Sequence, residues 1–334
     1  MTRESVSGGQ LAVAVLGLTG TGKSALAIAL ALRFRGEVVS CDSTAVYRGF
    51  DIGTDKVARS AQGGIAHHLI DVADPAEEYT AARYARDAAE AIRWVEARGR
   101  LPVVAGGTGF YFRALTRGLF PGPGKDPRLR GRLEAIALRR GSECLHRALR
   151  RVDPASAARI QPRDRVRLVR ALEVFLLTGR PLSDHFAATM SPLGPRRFVK
   201  IGLRLPADEL DVRLRRRVDA QFAAGLVGEA HALLASGVPA TARPFGGLGY
   251  RQALDLIRGI RNEPETRALI VSETRRYARR QLIWFRKEPN LVWIQRAGER
   301  DDSVCDAERV IRERCAPIPP CCPASETPTH GSDA

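Results

Sequence analysis

Eight residues near the start of the chain, Gly17-Leu18-Thr19-Gly20-Thr21-Gly22-Lys23-Ser24, fit G-x-x-x-x-G-K-[ST] and lie between an apolar run and a helical stretch. That spacing captures anions. The glycines let the backbone turn so that successive N–H groups face one anion, and the opening helix adds the positive end of its dipole. Lys23 supplies a point charge, and the Ser24 hydroxyl is placed to ligand Mg²⁺. A di- or triphosphate is the expected ligand. The guanine-reading N-K-x-D pattern is missing, and the third apolar run ends in Gly106-Gly107-Thr108 rather than in an acidic residue. The free carboxylate follows the second run instead, at Asp42. Ligands of parallel sheets sit at the carboxyl ends of the strands, so the loop, Asp42 and Thr108 are expected in one crevice. A carboxylate there reads as a base. The competing reading is a helix cap, because Ser43 and Thr44 follow it.

These groups need a scaffold. Apolar runs at 11–18, 36–42, 101–107, 198–205 and 291–294 read as buried strands, and 23–35, 80–98, 207–235 and 265–288 as helices. The alternation predicts an α/β fold of P-loop NTPase-like kind, a mostly parallel sheet with helices on both faces. Between PGPGKDP (121–127) and SPLGP (191–195) the apolar spacing is helical, as in Leu168, Leu172, Phe175 and Leu176. Residues 121–197 hold 17 Lys and Arg against 7 Asp and Glu, over half of the chain's net charge of +16. The predicted organisation is a core from 1–120 and 198–300 with a basic helical insertion, 121–197, suited to a phosphate-rich ligand. The Pro-, Ser- and Thr-rich tail, 301–334, has little to bury and is expected to be disordered.

Of 334 residues, 44% are hydrophobic and 27% charged, which fits a folded chain and excludes a mostly disordered one. The basic excess is arginine, 48 Arg against 5 Lys, and it favours a polyanionic partner. No run approaches the roughly 18–20 apolar residues of a membrane span. The polar start, MTRESVSGGQ, does not read as a signal peptide. Cysteines at 41, 144, 305, 315, 321 and 322 are too scattered for a disulfide framework. The expectation is a cytoplasmic protein with no membrane association, and a monomer.

Nine segments, by order and spacing, carry a family resemblance: GLTGTGKS (17–24), DSTAVYRGFDIGT (42–54), AHHLIDVADP (66–75), GGTGFYFRAL (106–115), DPRLR (126–130), VRLVRALEV (166–174), RRVD (216–219), LGYRQ (248–252) and RRYARRQLIWFR (275–286). Over most of residues 11–296 the chain resembles the tRNA dimethylallyltransferases. The resemblance implies transfer of a dimethylallyl group from dimethylallyl diphosphate to N6 of adenosine 37, beside the anticodon, in tRNAs reading codons that begin with U. It implies that the phosphate loop holds a prenyl diphosphate, so that ATP is not consumed, with Mg²⁺ as cofactor and the tRNA anticodon stem-loop as partner. By the same resemblance Asp42 is the general base, Arg217 stabilises the leaving diphosphate with Lys23 and Mg²⁺, and Thr108 lies near the adenosine. The implied tRNA contacts are Asp42, Ser43, Thr44, Ala45, Thr108, Arg130, Val166, Arg167, Leu168, Val169, Arg170, Gly249, Tyr250 and Arg251.

An adenine amine must shed a proton as its C–N bond forms, and a target base within a stacked loop must be drawn out, which fits these assignments. Arg167 and Arg170, three apart on one helical face, suit a phosphate backbone. Tyr277, Trp284 and Phe285 read as core, and Gln281 occupies a family position. Leu18 stands where the family commonly has proline, Ala45 and Val166 where glutamine is common, and Ile283 where threonine is frequent. A metal on His67 and His68, and a zinc site from the C-terminal cysteines and His330, are both rejected on ligand spacing. Two other functions fit the loop: a small-molecule kinase using ATP, and a non-catalytic RNA-binding P-loop protein.

Overall fold

A computed structural model describes residues 11–314 except 121 and 188. The chain divides into a larger unit and an inserted unit, Thr116–Gly194. In chain order the elements are β1 (Leu11–Gly17), α1 (Lys23–Arg33), β2 (Gly36–Ser40), β3 (His67–His68), α2 (Ala81–Ala97), β4 (Leu101–Gly106) and α3 (Gly109–Arg117). Next come α4 (Pro127–Arg140), α5 (Ser142–Val152), α6 (Pro154–Arg159), α7 (Arg165–Thr178) and α8 (Leu182–Ala187). The chain continues through β5 (Arg197–Leu203), α9 (Ala207–Ala223), α10 (Leu226–Ala235), α11 (Tyr250–Ile257), α12 (Glu263–Phe285), β6 (Leu291–Ile294) and α13 (Asp301–Arg314).

The six strands form one sheet in the order β3-β2-β4-β1-β5-β6, and every pairing is parallel. β1 reads as an unbroken apolar run because both of its faces are covered. Val13 and Val15 of β1 join Leu26, Ala27 and Leu30 of α1 and Val304, Ala307 and Ile311 of α13 in one core. The β1-to-β2 connection steps one way along the sheet and the β2-to-β4 connection steps back. Right-handed crossovers therefore put α1 and α2 on opposite faces. The helices begin where the sequence offers caps: Thr80 accepts from Arg83 N at 3.1 Å, and Asn262 with Glu265 forms a capping box at α12. Among the described residues no helix is long and apolar enough to cross a membrane.

Three readings of the sequence need correction. The stretch 207–235 is two helices, because Gly225 takes a left-handed φ of 93° and breaks the run. The tail reading fails for residues 301–314, which form α13. Val304, Ala307 and Ile311 recur at helical spacing and bury against α1, while Asp301 and Asp302 open the helix and Arg312 and Arg314 close it, matching its dipole. Residues 315–334, including Cys315, Cys321, Cys322 and His330, lie outside the described part. Arg197, placed in the insertion by its charge, opens β5.

The inserted unit has its own core of Leu133, Leu145, Leu149, Leu168, Val169, Leu172 and Leu182. Leu176, by contrast, points to solvent. Polar order within this unit centres on Glu173, whose side chain is 0% exposed. Arg130 donates to both of its oxygens, Nε to Oε1 at 2.7 Å and Nη2 to Oε2 at 2.8 Å, and Arg170 Nη1 donates to Oε2 at 2.6 Å. The Asp126 N–H, at 2.9 Å from Oε1, completes the set. Burial works against ionisation of this carboxyl, but the hydrogen bonds from Arg130, Arg170 and Asp126 overcome it and hold its pKa down to about 2.

Candidate active site

β2, β4 and β1 are neighbours and parallel, so their carboxyl ends open on one edge of the sheet. The phosphate loop leaves β1, Asp42 follows β2 and Thr108 follows β4. Gly17 and Gly22 show why the loop needs glycine. Gly17 holds φ +133° where a Cβ would overlap the Leu203 carbonyl, and Gly22 holds φ +82° against Gly298 and Glu299.

A cavity of about 120 Å³ is lined by Thr19, Lys23, Ser24, Ser40, Asp42, Ala45, Asp55, Arg217, Tyr277 and Gln281, among others. Asp42 thus shares one chamber with the anion loop. Its Oδ1 accepts from Thr44 N at 2.8 Å, Thr44 Oγ1 at 2.6 Å and Ala45 N at 3.4 Å. No hydrogen bond to Oδ2 is found among the described residues. Oδ1 thus ties a turn and does not cap a helix. Thr108 sits against this turn, its Oγ1 accepting from Ser43 N at 3.0 Å.

Arg217 reaches the loop from α9, donating from Nη1 to Thr19 Oγ1 at 2.9 Å. Lys23 Nζ donates to the Leu18 carbonyl at 2.5 Å. Burial, and secondarily the charge of Arg217, lower the Lys23 pKa to about 8, against the opposing pull of Asp42 and Asp55. Lys23 therefore loses its charge as pH rises through about 8. Once an anion binds it must be protonated, so affinity for a diphosphate monoester should fall by up to about tenfold per pH unit above that point. Equilibrium binding of a diphosphate monoester from pH 6.5 to 9.5, with Lys23→Met as the flat control, checks this; a level wild-type profile contradicts it.

Gln281 is a site residue that spacing alone did not single out. Its Oε1 accepts from Thr19 N at 2.8 Å and its Nε2 donates to the Gly107 carbonyl at 2.9 Å. One buried amide thus ties the phosphate loop to the strand end that carries Thr108. Tyr277, one turn earlier on α12 and read from sequence as core, lines the cavity instead; burial and the nearby Asp42 charge push its phenol up to about 12. No local pattern marks either residue, because α12 comes more than 150 residues after β4 in the chain. Phe285 is buried as expected, and Trp284 packs against Phe110 with ring centroids 6.4 Å apart. His67 Nδ1 meets the Ile65 carbonyl at 2.9 Å and His68 Nε2 meets Glu37 at 2.7 Å.

Other predicted contacts lie outside the lining of this cavity. Gly249 caps α11, and the Tyr250 side chain is buried, its hydroxyl accepting from Gly53 N at 3.0 Å and bonding Glu229. Arg251 pairs with Glu273. In the inserted unit Leu168 and Val169 are core, Arg130 and Arg170 are held by Glu173, and Val166 and Arg167 are exposed. Arg167 makes one open contact, 3.4 Å to Asp164.

A family profile described as IPP transferase matches residues 45–288. The tRNA dimethylallyltransferase of Solibacter usitatus is 51% identical over 286 residues, 86% of this chain and 93% of its own. That of Geobacter metallireducens is 45% identical over 86% and 94%. The crystal structure of the tRNA isopentenylpyrophosphate transferase from Bacillus halodurans, 36% identical, superposes with a TM-score of 0.68 over 91% of this chain and 96% of that one. A eukaryotic dimethylallyltransferase acting on tRNA, 26% identical, superposes with a TM-score of 0.75 over 90% and 78%. With a phosphate loop and a carboxylate facing one chamber, and with these likenesses running nearly end to end, the chain belongs to the IPP transferase family.

Proposed function

We propose that this enzyme transfers a dimethylallyl group from dimethylallyl diphosphate to N6 of adenosine 37 in tRNAs reading codons that begin with U. The carrying observation is the shared chamber of Asp42 and the phosphate loop. In this reading Asp42 Oδ2 takes the N6 proton as the C–N bond forms and the C–O bond to diphosphate breaks. The allylic carbon gains positive character while the leaving oxygen gains negative charge. Lys23, Arg217 and the loop amides left free by Gln281 receive that charge. Thr108 lies on the adenosine side, and Ser43 to Ala45 line the approach.

The Ser24 hydroxyl is a hard oxygen donor facing the chamber, of the kind that suits Mg²⁺ beside a diphosphate. When bound there, Mg²⁺ would neutralise charge on the leaving diphosphate.

The exposed basic side chains of the inserted unit support it as the part that follows the tRNA backbone. Arg167 is a predicted contact whose side chain is 65% exposed and held only by a 3.4 Å contact with Asp164. Arg167→Ala should lower the slope of log affinity against log salt by about one for an anticodon stem-loop, leaving the melting temperature unchanged. An unaltered slope removes Arg167 from the backbone contacts. The reading as a whole is tested by mass spectrometry of tRNA nucleosides after incubation with dimethylallyl diphosphate and Mg²⁺. It requires a five-carbon gain on adenosine; ADP formed from ATP with no such gain would point to a kinase.

A further inference from the structure

Asp55 belongs to the loop after β2, and no part of the reaction above depends on its charge. Its backbone is left-handed, with φ 58°, a conformation unusual for a side chain other than glycine, though aspartate tolerates it better than most. The loop around it is held from several sides. Glu229 accepts from Ile52 N at 3.1 Å, Tyr250 Oη accepts from Gly53 N at 3.0 Å, and Asp55 N donates to the Ile52 carbonyl at 3.1 Å. Lys56, with a side chain 5% exposed, is taken up by Asp51 and Asp71 at 2.6 and 2.5 Å. The cation next to Asp55 in sequence is therefore already spent.

The Asp55 carboxylate turns to the anion cradle instead. Its Oδ2 lies 3.2 Å from Arg217 Nη1, the group that also holds Thr19. It lines the 120 Å³ chamber and also a second cavity of about 700 Å³ that shares Lys23, Ser24 and Arg217. A diphosphate entering this cradle meets a fixed negative charge and competes with it for Arg217. Like charges this close disfavour binding unless a cation lies between them.

We propose that Asp55 makes diphosphate capture depend on a divalent cation. Its carboxylate restrains Arg217 and repels a bare diphosphate, and together with the Ser24 hydroxyl it receives the cation that a metal-loaded diphosphate carries. The inference rests on the cradle being the diphosphate site.

Calorimetric binding of inorganic pyrophosphate to the full chain, in EDTA and in Mg²⁺, tests it with wild type and Asp55→Asn. The amide keeps the side chain's size and suits the left-handed backbone, and thermal melting verifies folding. The expected result is binding at least tenfold tighter in EDTA for Asp55→Asn, with the gain from added Mg²⁺ reduced by a similar factor. Equal weakening in both buffers would make Asp55 a mere prop for Arg217 and overturn the proposal, as would no change in either. Failure of wild type to bind pyrophosphate in both buffers would instead remove the diphosphate reading of the cradle, and this inference with it.

Discussion

Asp42→Asn should lose roughly 10²–10⁴-fold in turnover while its affinity for dimethylallyl diphosphate stays within a few-fold of wild type. The substitution isolates one atom. Oδ1 ties Thr44 and Ala45 into the turn after β2, and an asparagine oxygen can keep accepting those bonds. Only the outer position changes, from an oxygen that takes a proton to an amide that cannot. Asp42→Ala removes both functions and should show a similar loss of turnover, with about 1 kcal/mol of added instability from the untied turn. Single-turnover rates with saturating tRNA separate chemistry from release, and equilibrium titration gives donor affinity. Retained turnover in Asp42→Asn would dismiss the carboxylate as base. Equal loss of rate and affinity would make it a binding group.

The second large effect lies in the inserted unit. Glu173→Gln should destabilise that unit by roughly 1–3 kcal/mol, because two half-buried guanidiniums lose the charge that holds them. Hydrogen exchange of α4 and α7 in the intact protein reads the loss; unchanged protection would show that the cluster adds nothing. The sign of the pH effect follows from the depressed carboxyl pKa. A carboxyl held at about 2 when folded, below an ordinary value of 4.5, stabilises fully above 4.5. That stability drains away as pH falls from 4.5 towards 2, and it is constant through neutrality. The cluster also gives Arg130 and Arg170 a structural partner. Their substitution should lower stability first, whereas Arg167→Ala should change only the salt dependence of RNA binding.

The chemistry at the front of the chain was readable because it is local. The phosphate loop is eight consecutive residues, and Asp42 and Thr108 each follow an apolar strand directly, so sequence order and the rule for parallel sheets were enough to bring them together. All five strands expected from apolar runs are present, and so is the basic helical stretch, whose register was misjudged only at its edges. What stayed hidden depends on pairing between distant residues. Whether Arg130, Arg167 and Arg170 face RNA or a buried carboxylate turns on Glu173, and helical spacing treats all three alike. Gln281 and Tyr277 reach the chamber from α12, and Asp55 reaches it from a loop held by Glu229 and Tyr250. Residues 301–314 looked like the start of a polar tail until the groove beside α1 gave Val304, Ala307 and Ile311 somewhere to bury. Sequence by itself determined where an anion-holding loop and a nearby carboxylate lie and which strands present them. Tertiary structure decided which charges are free, because an arginine's partner is set by what packs against it and not by its neighbours in the chain.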